Sequence, residues 1–146
     1  MATPTLSQFR NEPTADFSLS ANRQAMQDAL TKVRSEFGRE YPLRISGECI
    51  STGDKLVSVN PSNIQEVVGL HHKATPELAT RAVESAYAAF PQWSRTPAGE
   101  RVRLLLEASR ILRSRKFEFD AWLVYEAGKT WPEADADVSE AIDFCE

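Results

Sequence analysis

Residues 116–146 read KFEFDAWLVYEAGKTWPEADADVSEAIDFCE, and this stretch sets the reading of the whole chain. Its first part predicts a helix from about Lys116 to Ala127, closed by Gly128 where a left-handed helix-ending residue is wanted. A last helix is expected to begin near Pro132, with Ala134, Val138, Ala141, Ile142 and Cys145 on one apolar face. Gly128-Lys129-Thr130 has the lettering of the end of a phosphate-binding loop. That motif needs a glycine where Leu123 stands and a strand before it, and here a helix precedes. The last helix reaches Glu146 without a glycine, a proline or a basic last turn. Asp143 and Glu146 there oppose the helix dipole, which is the pattern expected of a cut through a longer protein.

Upstream, the helical texture continues. Ala98 to about Arg113 carries Val102, Leu105, Leu106 and Leu112 as an apolar stripe. Thr75-Pro76-Glu77 is a helix start: a hydroxyl cap, proline at the first position and an acid in the first turn. Leu78, Ala82, Val83, Ala86 and Phe90 follow, with Pro91 expected to stop that helix. Before it, β-branched and alternating residues from Pro42 to Asn60 surround Gly47 and Thr52-Gly53-Asp54 and predict two antiparallel strands. Asn60-Pro61-Ser62-Asn63 reads as a turn and Glu66 to Leu70 as a third strand. Such a ribbon is marginal alone in water and should pack against something else. Met26, Leu30, Val33 and Phe37 mark a helix from about Ser20, with Ser20 as cap and Gly38 as its left-handed end. The expected segments are an arm over 1–19, a first helix over 20–41, a β-ribbon over 42–73 and a helical part over 74–146.

The 146 residues are 42% hydrophobic and 26% charged, ordinary values for a globular protein. A net charge of −4 argues against general nucleic-acid binding. No apolar run approaches the length of a membrane span, and Met1 to Arg10 lack the basic and apolar regions of a secretory signal. Cys49 and Cys145 are the chain's two cysteines and read as reduced thiols of a cytoplasmic protein. Six basic residues and one acid lie between Arg101 and Lys116, and seven acids and one lysine between Glu126 and Glu146. Two solvated helix faces account for such runs.

Candidate sites are few. His71 and His72 are neighbours on a strand, so their rings point to opposite faces and do not suit one metal ion. Cys145 lies on an apolar stripe among acids, and Cys49 has no histidine or helix start near it; both read as packing residues. Glu133, Asp137 and Glu140 step along one face of the last helix. Alone they make a wet face; the sharper reading is a carboxylate aimed at a cationic group of a ligand.

Several strings, in order, resemble the opening of the aldehyde dehydrogenase superfamily: Asn60-Pro61, Val68-Gly69, Ala89-Phe90 with Trp93, Glu100-Arg101, and Glu126 with Gly128-Lys129. Three more resemble the pyrroline-5-carboxylate dehydrogenases within it: Phe9-Arg10-Asn11-Glu12-Pro13, Val57-Ser58-Val59-Asn60-Pro61-Ser62, and the run from Trp131 to Phe144. The resemblance implies an α/β fold of which this chain is the N-terminal portion, several helices plus the antiparallel β-ribbon of an oligomerisation flap. The Rossmann-like sheet and the catalytic domain would lie outside it. It implies oxidation of glutamate semialdehyde to glutamate with NAD in proline breakdown. A cysteine thiolate adds to the aldehyde, hydride leaves to the cofactor, and a glutamate-activated water hydrolyses the thioester. That cysteine and that glutamate correspond to nothing in this chain, so no catalytic residue is assigned and the chain alone should be inactive.

One functional residue carries over. Glu140 matches a glutamate near the α-ammonium end of the semialdehyde, where a charge-assisted hydrogen bond would favour this substrate over simple aldehydes; Phe144, one turn on, is a candidate lining residue. The implied partners are a second copy through the ribbon, making a homo-oligomer, and proline dehydrogenase as a functional partner. Two other readings remain open. One is an aldehyde dehydrogenase for another substrate. The other is a complete small interaction module, using an exposed helix face and an unpaired ribbon.

Overall fold

The computed structural model describes residues 8–146, so the first seven residues of the expected arm lie outside it. The described residues form two compact units, residues 36–96 and residues 8–35 with 97–146.

In the first of these, β1 (Arg39–Tyr41), β4 (Lys55–Asn60) and β5 (Asn63–His72) form one sheet in the order β1-β5-β4. β2 (Leu43–Ile45) and β3 (Glu48–Ile50) form a separate hairpin. Its two-residue turn is Ser46-Gly47, both at positive φ (53° and 82°). That is the handedness which matches strand twist, and glycine adopts it without steric cost. Thr52-Gly53-Asp54, by contrast, connects the hairpin to the sheet: Lys73 N–H donates to Asp54 O (3.0 Å) and the Thr52 hydroxyl to Lys73 O (2.8 Å). The Asn60–Asn63 turn is as expected. Buried Asn60 accepts the Ser62 N–H on Oδ1 (2.9 Å) and donates to Glu66 (2.8 Å), so both ends of its amide are satisfied. β5 is longer than the Glu66–Leu70 segment expected, because β4 pairs with it from Asn60↔Asn63 to Lys55↔His72.

The first helix is shorter than its stripe. α1 spans Ser20–Arg34, with Leu19 rather than Ser20 at the cap position. Arg39–Tyr41, expected within the 20–41 helical segment, instead pairs parallel with β5. Gly38 is left-handed (φ 75°), but its N–H donates to Val67 O (3.0 Å) and so opens β1 rather than closing the helix. A β-sheet partner thirty residues away in sequence outcompetes the local 3.6-residue period. The unit that holds the ribbon therefore begins before residue 42 and also takes in α2 (Pro76–Trp93). Pro91 does not stop that helix, which runs on through Trp93, with Ser94 N–H donating to Phe90 O (2.8 Å). Near the helix C-terminus the ring costs one hydrogen bond without disturbing the turns that follow.

The other unit packs α1 against α4 (Lys116–Ala127), and α5 (Trp131–Asp143) against α4 and α3 (Ala98–Ser114). Met26 and Val33 of α1, Ala121 of α4, and Ala134, Val138 and Ile142 of α5 are its buried apolar residues. Gly128 ends α4 at φ 68°, its N–H donating to Val124 O (3.1 Å). A left-handed helix end is thus what the Gly-Lys-Thr string encodes. The arm is tied down from Asn11 onward, and Phe17 sets its ring edge-on against Phe117 (6.3 Å) and Trp131 (5.5 Å).

Candidate functional site

α5 is the helix that carries the candidate carboxylates, and its sequence explains how it is held. Thr130 precedes it, and the Thr130 N–H (3.0 Å) and hydroxyl (2.8 Å) both donate to the Glu133 carboxylate. The Glu133 carboxyl is held below its usual range by those two bonds, the backbone one first. Ala134, Asp135, Val138, Ser139 and Ile142 form the buried face. Ser139 returns its hydroxyl to Asp135 O (2.7 Å), so that polar atom is satisfied within the helix.

The acids of this helix and its end then separate by partner. Glu133 caps the helix. Asp135, 1% exposed, faces Lys116 Nζ at 2.9 Å and accepts the Ala15 N–H (2.7 Å). Asp137 pairs with Lys129. Asp143 accepts from the Asn11 side chain and the Glu12 N–H, each at 2.7 Å, which lower its carboxyl below the ordinary value. Glu146 accepts from Arg113 (2.7 Å) and from the buried Ser109 hydroxyl (3.0 Å). Glu140 is exposed and its carboxylate has no partner among the described residues. Phe144, one turn on, is 79% exposed. Glu133 and Glu140 are exposed and Asp137 half-exposed, as a wet face requires, but two of the three have partners on it. The basic run is divided too: Arg103 and Arg110 pair with acids of their own helix, while Arg113 and Lys116 reach residues far away in sequence.

Beside α5 lies an open apolar cleft of about 290 Å³ lined by residues of α3, α4 and α5, including Phe119, Trp122, Leu123, Val138 and Ala141. Sequence reasoning passed over Asp120, which is wholly buried on α4 with neither carboxylate oxygen hydrogen-bonded. Burial, reinforced by the charge of Asp135 and opposed by Lys116, pushes its pKa up to about 7. A lone acid inside the apolar run Phe119–Val124 was the available signal.

The remaining candidates stand apart from α5. The His71 ring stacks on Tyr41 (centroids 5.1 Å apart). Buried His72 has its Nδ1 at 2.8 Å from both the Thr52 N–H and the Thr52 carbonyl oxygen, and its Nε2 lies 3.3 Å from the Glu40 carboxylate. Among the described residues no group of three or more His, Cys, Asp or Glu side chains is placed to hold a metal ion. Cys49 is exposed on β3; Cys145 lies beyond the end of α5, which stops at Asp143 rather than continuing to Glu146. Among the described residues no helix is long and apolar enough to cross a membrane.

The Rossmann type of dinucleotide site uses a glycine-rich turn from strand to helix, where backbone N–H groups meet the pyrophosphate. The β5–α2 junction has no glycine, and the Thr75 hydroxyl already accepts the Leu78 N–H there (3.3 Å). The described residues therefore offer no such cradle.

The aldehyde dehydrogenase family profile matches residues 50–146. A 1-pyrroline-5-carboxylate dehydrogenase of Geobacillus kaustophilus is 56% identical over 138 residues, 94% of this chain and 27% of that protein. A Thermus 1-pyrroline-5-carboxylate dehydrogenase solved with bound NAD superposes with a TM-score of 0.95 at 51% identity, over 98% of this chain and 28% of its own. Proline utilization A from Bdellovibrio bacteriovorus gives 0.92 at 35% identity, over 94% of this chain and 14% of its own. The chain thus spans about a quarter of the length of the relatives it matches, and by its sequence and its fold it belongs to the aldehyde dehydrogenase family.

Proposed function

We propose that this chain is the N-terminal part of an enzyme that oxidises glutamate semialdehyde to glutamate with NAD, and that Glu140 receives the α-ammonium of that substrate. The observation that carries the site is the sorting of acids on and just beyond α5: Glu133, Asp135, Asp137, Asp143 and Glu146 all have partners, and Glu140 has none among the described residues. A carboxylate held on a fixed helix and left without a cation suits a substrate that brings one. The names of the similar proteins support the substrate, and the Thermus structure with NAD supports the cofactor. NAD is assigned mainly to residues outside this chain, where the family resemblance puts the Rossmann-like sheet. The nucleophile and base are assigned there as well, so the chain by itself is inactive.

The ribbon is proposed as a contact with a second copy. β4 is an edge strand whose Leu56 and Val57 are 57% and 56% exposed, and an open apolar edge invites pairing. The likeness to proline utilization A supports a proline dehydrogenase as the functional partner that supplies the substrate.

NADH production by the full-length parent with glutamate semialdehyde and with propanal tests the site. Glu140→Gln should lower kcat/KM for the semialdehyde at least about tenfold more than for propanal, the worth of one charge-assisted bond. Equal losses return Glu140 to a solvated face, and a parent inactive on the semialdehyde overturns the substrate.

A further inference from the structure

Asp143 is the last residue of α5, and an acid there opposes the helix dipole. The helix has no basic residue in its last turn, and its final carbonyls lack intrahelical donors. Asp143 therefore gains nothing from its own helix; what it does is hold the arm. Its two oxygens take one donor each, the Asn11 side-chain amide and the Glu12 N–H, both at 2.7 Å. The hold is doubled nearby: Arg113 donates to the Glu12 carboxylate (2.8 Å) and also to Glu146 (2.7 Å). The arm is pinned again further back, where Lys116 donates to Pro13 O (2.9 Å) and Asp135 accepts the Ala15 N–H. Residues 11–15 thus lie as a strap along α5, fastened at Asp135 and Asp143, and Glu140 lies between those two points.

Glu140 sits in the turn that this strap closes. Its carbonyl accepts the Phe144 N–H (2.9 Å), the bond that ends the helix. Residues three apart on a helix are neighbours on its surface, so holding Asp143 fixes the rotation of Glu140 about the helix axis. A terminal turn without such a hold frays. We propose that Asp143 is a positioning residue for Glu140: by receiving Asn11 and Glu12 it fixes the last turn of α5 and the direction of the Glu140 carboxylate, and so sets the preference for an amino-bearing aldehyde. This rests on the assignment of Glu140 to the substrate ammonium.

The test uses the full-length parent and four variants: Asp143→Ala, Asn11→Ala, Glu140→Gln and the Asp143→Ala/Glu140→Gln double. KM and kcat are measured with glutamate semialdehyde and with propanal. Asp143→Ala should raise KM for the semialdehyde about fivefold with kcat and both propanal constants within about twofold, and should add nothing once Glu140 is Gln. Asn11→Ala, which leaves the carboxylate in place and removes one of its two donors, should move the same constant in the same direction by less. It also decides the matter if Asp143→Ala fails to fold. A selective effect of Glu140→Gln with none from Asp143→Ala or Asn11→Ala overturns the positioning role and leaves the Glu140 assignment standing. Equal losses on both aldehydes for Asp143→Ala overturn it as well, since that is the signature of a merely structural residue. An unselective Glu140→Gln removes the assignment on which the role depends.

Discussion

α5 and α2 look alike as sequences and differ as helices. Both follow a threonine, both carry proline near the first position, and both show an apolar stripe. Yet α5 buries five of its thirteen residues inside its own unit, whereas α2, with eighteen, buries none. Val83, Tyr87, Phe90 and Trp93 of α2 are between 47% and 80% exposed. Its anchors within its unit are polar: Ser46 bonds Ser85, and Arg81 bonds Glu48 at 2.5 Å. An amphipathic pattern states that a face wants cover; only the tertiary structure states whether cover is present.

Truncating one branched aliphatic side chain to alanine in each helix gives the largest contrast. Ile142, 0% exposed in α5, should cost about 2–5 kcal/mol as Ile142→Ala by urea denaturation, the range for a buried aliphatic truncation. Val83→Ala in α2 should change stability by less than about 0.5 kcal/mol. A large cost at Val83 would break the comparison, because it would mean that the exposed face is covered in solution.

A second expectation concerns the charge buried beneath α5. The pKa of Asp120 is raised in the folded protein to about 7, whereas an unfolded aspartate titrates near ~3.9. The folded state therefore holds the proton more tightly. Stability from the neutral form is fully present below the unfolded pKa and is lost as pH rises through the folded one. Between pH 5.5 and 7 the loss should be on the order of 2 kcal/mol. Asp120→Asn should flatten this slope in urea titrations at a series of pH values and stabilise the protein at pH 8. An unchanged slope would assign the burial penalty elsewhere.

The smallest effect sharpens the contrast from the other side. Thr75→Ala removes the acceptor for the Leu78 N–H at the start of α2 and should cost about 1 kcal/mol. Because α2 has little else holding it within its unit, that loss should appear as faster amide exchange across its first two turns, with α5 unchanged. Exchange that speeds up equally in both helices would deny α2 its local character.

What was legible in the sequence is what neighbours in sequence decide. Thr75 and Gly128 declared their helix ends because capping is a matter of a few residues. The strings from Phe9 to Pro13 and from Trp131 to Phe144 pointed to the family that the comparisons support. What was illegible depends on distant partners. Phe37 completes a helical stripe, yet the chain turns into a strand just beyond it because Val67 receives the Gly38 N–H. The basic and acidic runs read as separate wet faces, yet Lys116 meets Asp135 and Arg113 meets Glu146. Glu140 could be listed with Glu133 and Asp137 but not separated from them, since the distinction lies in the partners that the other two have found.

The strap over α5 has a consequence in time. Asn11 and Asp143 are 132 residues apart, so the bond between them waits until all of that intervening stretch has been made. At roughly 5–20 residues per second of synthesis, the arm leaves the ribosome on the order of 10 s before its partner exists. Through that interval Asn11, Glu12 and Ala15 have only water for their donors, and the segment is open to chaperones and proteases. When Asp143 arrives, closing so long a loop costs more entropy than any local step, but only logarithmically more. The order of events is then fixed by connectivity: helices and hairpins form early from near neighbours, and the fastening of the arm follows them.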